Sequence, residues 1–547
     1  MTKPTPGRQP DLDEILRRKA AYDNIGTQEA TAEQLGISRR SLRRSLEKYD
    51  LYVAEGVIAP KPLFSGRINA MGRDVLPVPA KGQVRHMILT CIQNNTPLHD
   101  GVWQNLLALR DHYSAELFIS TFTYNKNAFS KWSQKMSTNG GQSSEDIWFD
   151  SRALEYLVDK SVEIAPGLVW CGEQQISPTA ERPLSGFESY TGRKSGVFPH
   201  TKFSMESVAS GKYEPTKINY TTGTVTQRNY TATKAGRKAE FHHGYGAVLV
   251  SVDSEGRWFV RQLNADSSGV ICDLDLMAAD GIVTTGHAVE AITWGDIHGD
   301  HLSHQMRELC WGQNGILETL RPRVQFFHDT LDFRARNHHD RDNALLEFEK
   351  HLDGKDDVED ELSRSKGFLD DSYREWCESV VVDSNHDNAL GRWLDEADYR
   401  TDPTNAMFFL EAQLRRYQSV KNREHDFHLV EWAMRRAGCS DQIVFLREDE
   451  SYIIAPNSGG IEGGMHGHLG PNGSRGTPTG LKKMGRKANI GDKHSAGIYD
   501  GLYVAGVLGD LDQGYNSGPS SWSHSNIITY ANGKRAIQTI WDGKGWA

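Results

Sequence analysis

Residues 291–300, AITWGDIHGD, place a carboxylate and an imidazole side by side at the end of an apolar run. Asp296 and His298 stand one residue apart there, between Gly295 and Gly299. Comparable polar groups follow later apolar runs, namely Asp329 and Asp332 in HDTLDF, Asn385, His386 and Asp387 in SNHD, His466 and His468 in MHGHLG, and Asp492 and His494 in GDKHSAGI. Carboxylate, amide and imidazole groups in such a series are typical of a metal site.

The ligand types restrict which metal this site would take. Oxygen ligands suit Mn²⁺ and Mg²⁺, and imidazole extends the choice to Fe²⁺ and Zn²⁺. The cysteines are scattered and form no CxxC pair, which argues against a thiolate zinc site and against a disulfide framework; they are Cys91, Cys171, Cys272, Cys310, Cys377 and Cys439. The series therefore predicts two catalytic divalent ions, Mn²⁺ first, with Mg²⁺, Fe²⁺ and Zn²⁺ as alternatives.

Strands must position these groups, because each group directly follows an apolar run. Strands are predicted into AITWGD, along VQFFHD, VVVDSNHD and GLYVAGV, and up to MHGHLG. Hairpins are predicted in GAVLVSVDSEGRWFVRQL and in SNIITYANGKRAIQTIW, where Asn532-Gly533 is a strong turn signal. Strand ends in a layered α/β fold meet at one edge, so we expect the polar groups to converge there.

The rest of the chain suggests three further segments before the catalytic domain at 241–547. Residues 1–58 are predicted to form a helix-turn-helix module, 59–80 a linker, and 81–240 an accessory α/β domain built on strand–helix–strand pattern. An acidic stretch, GKDDVEDELSRSKG, is predicted to be a solvated helix or linker.

The helix-turn-helix prediction rests on ATAEQLGISRRSLRRSLEKYD. Gly36 permits a tight turn and Ser38 can cap the second helix. That helix carries the cations expected to contact DNA, which are Arg39, Arg40, Arg43 and Arg44. A small helical module that binds protein remains the alternative.

Composition excludes several classes of protein. No apolar run approaches the roughly 18 residues that a membrane helix needs, and the polar, Pro-containing start is unlike a signal peptide. We therefore expect a cytoplasmic protein without a membrane partner. The formal net charge of −10 does not by itself indicate a nucleic-acid binder, so such a partner would require a local basic patch or bound ions.

The ordered series resembles the calcineurin-like metallophosphoesterase family, whose pattern is DxH, GDxxD, GNH[DE], HGH and GHxH. The resemblance covers about residues 245–547 and implies an α/β fold, a four-layer αββα sandwich. It implies seven metal ligands, with Asp329 bridging the ions: Asp296, His298 and His494 for one, and Asn385, His466 and Asp492 for the other. It also implies that His386, oriented by Asp387, acts on the leaving oxygen, while Asp332 supports the ligands. His468 either supports them too or is an ordinary polar residue at a strand end.

The chain departs from the family pattern at three positions. His328 and Ser384 stand where glycine is usual, which the backbone tolerates if φ is negative there. Asp492 stands where a histidine would bind the second ion. An aspartate at this position either retunes the site for Mn²⁺ or Mg²⁺ or weakens it.

The implied reaction is hydrolysis of a phosphate ester, and three features favour DNA as the substrate. These are the Arg-rich helix, the accessory domain, and the basic loop GPNGSRGTPTGLKKMGRK with Arg475, Lys482 and Lys483. The chain also resembles large bacteriophage-encoded early nucleases, which implies a homo-oligomer acting in the cytoplasm of an infected bacterium. The alternatives are a phosphatase or nucleotide phosphodiesterase, and a catalytically weakened DNA-binding or assembly protein.

Overall fold

The computed structural model describes residues 12–25, 27–54, 73–124, 147–212, 214–338, 340–341, 343–514, 516–541 and 543–546. The chain divides into two compact units, Met1–Val78 with Ser161–Pro166, and Pro79–Lys160 with Gly167–Ala547. Most of the linker predicted at 59–80 lies outside the described residues. Among the described helices, none combines the length and apolar character that crossing a bilayer requires.

The described residues form a mixed α/β structure. Its α-helices are α1 (Leu12–Ile25), α2 (Gln28–Gln34), α3 (Arg39–Ala54), α4 (Asp100–Tyr113), α5 (Lys234–Phe241), α6 (His304–Trp311), α7 (Ile316–Leu320), α8 (Ala344–Leu352), α9 (Val358–Ser372), α10 (Ala389–Glu396), α11 (Ala406–Asn422), α12 (Leu429–Arg436) and α13 (Pro478–Leu481).

The strands are β1 (Asp74–Val75), β2 (Arg85–Gln93), β3 (Glu116–Phe122), β4 (Ser161–Ala165), β5 (Leu168–Cys171), β6 (Ser195–Phe198), β7 (Met205–Val208), β8 (Lys217–Thr221), β9 (Gly246–Val252), β10 (Trp258–Asn264), β11 (Ile271–Asp273), β12 (Leu276–Ala279), β13 (Ile282–Thr284), β14 (Ala291–Thr293), β15 (Val324–Phe327), β16 (Glu378–Val381), β17 (Ile443–Phe445), β18 (Ile453–Ile454), β19 (Ile461–Glu462), β20 (Ala488–Ile490), β21 (Gly497–Tyr499), β22 (Leu502–Val504), β23 (Ser525–Thr529) and β24 (Arg535–Thr539).

The first unit contains α1, α2 and α3 together with the parallel pair β1 and β4. Helix α2 ends before Gly36, whose φ of +64° explains why glycine stands there. Helix α3 begins after Ser38, whose hydroxyl accepts a hydrogen bond from the Ser41 amide at 3.1 Å. These contacts match the turn and cap expected from sequence, while the DNA-binding role of the module stays a prediction.

The sheet that positions the candidate site has the order β17-β16-β15-β14-β23-β24. Strands β14 to β17 run parallel to one another, and β23 pairs antiparallel with β14. The four parallel strands are mostly apolar, as is typical of strands that are covered on both faces. Trp294 and Phe327 pack among helical residues such as Phe368, whereas Phe326 packs with Ile461 of a second sheet.

That second sheet, within the second unit, runs β5-β6-β8-β7-β21-β22-β20-β19-β18, and smaller sheets are β10-β9-β2-β3 and β11-β12-β13. The two hairpins expected from sequence are confirmed as β9–β10 and β23–β24. The boundary predicted at residue 240 stays a prediction, but strands from both sides of it share a sheet, since β2 pairs with β9.

The acidic stretch forms the beginning of helix α9, as one of the two predicted alternatives, but only part of it is exposed to solvent. Asp357 caps α9 through the Glu359 and Asp360 amides, but Glu361 is buried. The Glu361 carboxylate accepts hydrogen bonds from the backbone amides of Arg334 and Ala335, both at 2.8 Å. Burial raises the pKa of Glu361 to about 7. The Glu361 carboxylate therefore holds the backbone of the loop that follows β15 in place.

A buried histidine in the second unit makes the fold sensitive to acid. His200 Nδ1 accepts a hydrogen bond from the Lys202 amide at 3.0 Å, and Nε2 lies 3.1 Å from the Ser177 carbonyl, which it can reach as a donor. Burial lowers the pKa of His200 from 6.5 to about 4. The ring is therefore neutral in the folded protein, with both nitrogens engaged.

We expect stability to fall as pH drops from about 6.5 to about 4, because the unfolded chain then binds a proton at His200 that the folded chain does not. One such group contributes a slope of about 1.4 kcal/mol per pH unit. Urea unfolding at pH 7.5, 6 and 5 should show a shallower pH dependence for His200→Gln. Exposed His112→Gln should behave as wild type, and equal slopes for all three proteins would contradict the assignment.

Candidate metal centre

The ends of three adjacent parallel strands bring predicted ligands together. Asp296 and His298 follow β14, Asp329 follows β15, and Asn385 follows β16. Backbone hydrogen bonds join the first two loops, since the His298 amide donates to the Asp329 carbonyl at 2.9 Å. The convergence expected from the apolar runs is therefore present at one edge of this sheet.

The second sheet supplies the remaining predicted ligands. His466 follows β19, and Asp492 and His494 follow β20. The Gly491 amide donates to the His466 carbonyl at 2.8 Å, which joins these two loops. A Cβ at Gly491 would lie 2.2 Å from Oδ1 of Asp296, so only glycine allows the two sheets to approach here.

Asp329 lies between two groups of ligand atoms. Its Oδ2 is 3.6 Å from Nε2 of His298, and its Oδ1 is 3.4 Å from Nε2 of His466. Burial opposes ionisation, but the imidazoles of His466 and His386 hold the pKa of Asp329 well below its ordinary value. The two oxygens of one ionised carboxylate therefore face two different sites.

The first group consists of Asp296, His298, His494 and the Oδ2 side of Asp329, whose ligand atoms lie within 4.8 Å of one another. Nε2 of His298 is 3.0 Å from Nε2 of His494, which is 3.1 Å from Oδ2 of Asp296. Two ligands about 2.1 Å from one ion and at right angles are about 3.0 Å apart. The spacing therefore fits donors around a single cation.

The second group surrounds His466. Its Nε2 lies 3.1 Å from Oδ1 of Asn385 and 3.7 Å from Oδ1 of Asp492. With the Oδ1 side of Asp329, these atoms form a donor set of oxygens and one imidazole, which suits Mn²⁺ or Mg²⁺. Oδ1 of Asp492 is therefore positioned to bind a cation in the second group. Its Oδ2 forms an ion pair with Lys493.

A buried oxygen without a partner supports cation binding at the first group. Oδ1 of Asp296 is buried and accepts no hydrogen bond from the described residues. Oδ1 of Asp329 is also buried, and its contact with His466 lacks the geometry of a hydrogen bond. Buried carboxylate oxygens are strongly destabilising unless a cation or donor compensates them, so this donor set fits a divalent ion.

Four of the seven predicted ligands have a left-handed backbone conformation. His298, Asp329, Asp492 and His494 have φ values of +45°, +48°, +65° and +54°. Asp and His adopt this conformation more readily than most residues, and eleven other non-glycine residues of the described chain share it, so the ligand spacing and not the backbone identifies the site. His328 and Ser384 are absent from the positive-φ residues, so both satisfy the condition set for replacing glycine.

Asp332 supports two histidines at once. Its Oδ1 lies 2.9 Å from Nδ1 of His298 and 2.9 Å from Nδ1 of His386. A carboxylate bound to Nδ1 fixes the tautomer and directs Nε2 toward a metal. Burial opposes its ionisation, but hydrogen bonds from these histidines hold the pKa of Asp332 far below its ordinary value.

The carboxylate that orients His386 differs from the one inferred by resemblance. Asp387 was expected in this role, but its Oδ1 accepts from the Leu331 amide at 2.9 Å. The Asp387 amide bonds to Ser384 Oγ, a local turn that directs its side chain toward the loop after β15. Asp332 bonds to His386 instead. Although burial opposes the charge, the carboxylates of Asp329 and Asp332 raise the pKa of His386 to about 10.

A cavity of about 530 Å³ opens beside the cluster. Asp329, Asn385, His386 and Asp492 line it on the cluster side. Arg475, Lys493 and Trp522 also line this cavity. His468 lines the same cavity, with its ring centroid 5.5 Å from that of His466. A polyanion could thus approach the cluster past two cations and an indole.

The other predicted DNA contacts are distributed over the chain. Lys482 is only 11% exposed and its Nζ lies 3.1 Å from Oδ2 of Asp500, whereas Lys483 lines a neighbouring cavity of about 470 Å³. Arg39, Arg40, Arg43 and Arg44 are exposed on α3 of the first unit. Of the seven residues predicted to contact DNA, Arg475 alone lines the cavity beside the cluster.

Three residues near the cluster were missed from sequence. His328 is buried, and its Nδ1 lies 3.2 Å from Nδ1 of His466. Burial lowers the pKa of His328 to about 4, so this ring is neutral and can accept the His466 proton. Its position before Asp329 was a usable signal. Lys493 lies between two predicted ligands in the sequence, which was also a usable signal. Trp522 lies in a polar segment that gave no such signal.

A mixed α/β protein with a buried Asp/His group able to hold a metal ion is a candidate metalloprotein. The chain is 39% identical over 478 residues to Protein A1 of Escherichia phage T5, an alignment that covers 85% of this chain and 83% of that protein. The chain therefore belongs to the family of phage T5 Protein A1, which supports a phage-encoded protein. No model of a known protein family and no solved structure matches it.

Replacing the shared carboxylate should disrupt both ion sites. We expect Asp329→Asn to weaken Mn²⁺ binding by more than about 10-fold, because a neutral amide attracts cations less and offers one oxygen where two are used. Isothermal titration calorimetry should show two ions for wild type and at most one for the variant. Asp441→Asn, a 96% exposed control, should bind as wild type, and unchanged stoichiometry in Asp329→Asn would refute a bridging role.

His328 should affect the second ion selectively. His328→Phe keeps a ring against His466 but removes the Nδ1 acceptor, so we expect affinity for one of two Mn²⁺ ions to fall about 10- to 100-fold. His328→Asn, which retains an acceptor near Nδ1, should recover much of this loss. Equal affinities for wild type and His328→Phe would show that the contact with His466 does not orient a ligand.

Proposed function

We propose that the chain is a metal-dependent DNA nuclease with a calcineurin-like two-metal centre. One observation carries the proposal, namely the position of Asp329 between the His298 group and the His466 group. Shared carboxylates of this kind hold paired divalent ions in phosphoesterases and nucleases. The proposal includes the four-layer αββα sandwich as catalytic domain.

Asp296, His298 and His494 would hold one ion, and Asn385, His466 and Asp492 the other, with Asp329 shared. When bound, two divalent ions lower the pKa of water and offset negative charge on a phosphate. The donors are oxygens and imidazoles without thiolates, which favours Mn²⁺ and leaves Mg²⁺, Fe²⁺ and Zn²⁺ as alternatives.

His386 is the proton donor in this proposal. Its ring lines the cavity, and Nδ1 is held by Asp332. The protonated imidazole is favoured by this carboxylate, which accepts a hydrogen bond from Nδ1. It can therefore give a proton to the leaving oxygen of a phosphate ester, while Asp332 keeps the ring in place.

The wall of the cavity favours a nucleic acid over a small phosphate ester. Arg475 supplies positive charge beside the cluster, whereas the charge of Lys493 is offset by its ion pair with Asp492. Trp522 supplies an aromatic surface of the kind on which bases stack. We further propose that α3 contacts DNA through its exposed arginines, and that the protein acts in the cytoplasm of an infected bacterium.

Nicking of supercoiled plasmid in Mn²⁺ tests this function. We expect Asp296→Ala and EDTA to abolish nicking, and His386→Gln to reduce kcat about 10²- to 10⁴-fold with two Mn²⁺ still bound. His351→Gln, a 69% exposed control, should keep full activity. Metal binding without nicking by wild-type protein would overturn the nuclease proposal.

The same variants separate DNA from small substrates. Turnover of a small aryl phosphodiester, run in parallel, should be slow and insensitive to Arg475→Gln, whereas the KM for DNA should rise several-fold. Fast turnover of the small ester without plasmid nicking would favour a phosphatase or nucleotide phosphodiesterase. DNA binding without hydrolysis of either substrate would favour a DNA-binding or assembly protein.

A further inference from the structure

Helix α11 carries an exposed apolar seam. Met407, Leu410, Leu414 and Tyr417 are 78%, 45%, 58% and 74% exposed. Their spacing of three, four and three residues is the a/d repeat of a coiled coil. The side chains therefore lie on one face of α11 that the described residues leave open to solvent.

The opposite face of α11 is already packed in the second unit. Phe408, Phe409 and Ala412 are buried in the core that also contains Trp393 and Val430. Ser419 is buried one turn before the end of the helix. The helix thus has two apolar faces, and its own fold covers only one of them. A helix with this pattern normally has a second partner.

Exposed apolar side chains are concentrated in this part of the molecule. In the described part of the chain, eight of eighteen exposed large hydrophobic residues lie on α8 and α11. Those on α8 are Leu345, Phe348 and Leu352, again on one helical face. Large apolar patches are uncommon on monomers and mark interaction sites.

We propose that α11 pairs antiparallel with α11 of a second copy of this chain. Antiparallel packing about a two-fold axis brings Leu410 of one copy opposite Leu414 of the other, and Met407 opposite Tyr417. All four seam positions then meet an apolar partner. An isologous contact of this kind needs one self-complementary surface, which this spacing provides.

Charge complementarity selects the second copy and the antiparallel direction. The same register places Lys421 and Arg423, both exposed, beside residues 395–402 of the other copy, a segment with four carboxylates and one arginine. Opposite charges therefore flank the apolar seam. A parallel pair would instead place basic end beside basic end and acidic end beside acidic end, which is unfavourable.

Helix α8 lies near the N-terminal end of α11, beside which the antiparallel register places the C-terminal end of the other copy's α11. Arg336 joins the two helices, since its guanidinium contacts Glu347 of α8 at 3.6 Å and Asp402, just before α11, at 2.6 Å. The antiparallel register brings Tyr417 and Val420 of the other copy to this end. The inference rests on α8 and α11 alone and is independent of the metal centre.

Size-exclusion chromatography with light scattering tests the contact on the full chain. We expect wild type to be at least a dimer at micromolar concentration. Leu414→Glu should raise the dissociation constant at least about 30-fold. Phe241→Glu, at an 82% exposed apolar residue outside α8 and α11, is the matched control and should associate as wild type. Circular dichroism verifies that both variants are folded, and a monomeric wild type or a fully associated Leu414→Glu would overturn the proposal.

Cysteine crosslinking tests the direction. Leu410→Cys and Leu414→Cys should form an intermolecular disulfide on oxidation when the two variants are mixed and allowed to exchange. Each variant alone should crosslink at least several-fold less. Equal crosslinking of each variant with itself would indicate a parallel pair and overturn the register. Absence of crosslinking in the mixture would overturn the contact.

Discussion

The candidate metal centre depends on one carboxylate shared by two sets of donors. Asp329 is buried and turns one oxygen toward His298 and the other toward His466. These histidines belong to different sheets, because His298 follows β14 and His466 follows β19. The cluster therefore forms only if both sheets pack with their loops in register.

Several local features are explained by that constraint. Gly491 has no side chain because Oδ1 of Asp296 occupies the space beside it. Left-handed backbone at His298, Asp329 and His494 turns the side chains inward at the strand ends. These conformations and the buried carboxylates are unfavourable on their own, and bound cations would compensate for them. The extensive apolar core between the sheet and its helices provides the stability that such a site requires.

The sequence predicted the elements with strong local signals. Asn532-Gly533 identified the last hairpin, and apolar runs located β14, β15 and β16. Because each run ended in Asp, Asn or His, the convergence of Asp296, Asp329 and Asn385 was predictable. The ion roles assigned by resemblance to the calcineurin-like family remain proposals, although the ligand spacing fits them.

Features that depend on side-chain direction were not predictable. The bond from Asp332 to His386, in place of Asp387, depends on a local turn at Ser384. Trp522 reaches the cavity from a polar segment without periodicity. Residues before and after the predicted boundary at 240 share one sheet, because β2 pairs with β9 over a long sequence separation. Such pairings depend on tertiary packing that local patterns do not record.

An anomalous-scattering map from crystals grown with Mn²⁺ would show directly whether two ions share Asp329. We expect two peaks about 3.5–4 Å apart, with Asp329 contacting both, His298 beside one and His466 beside the other. A single peak that excludes either histidine, or peaks away from Asp329, would contradict it.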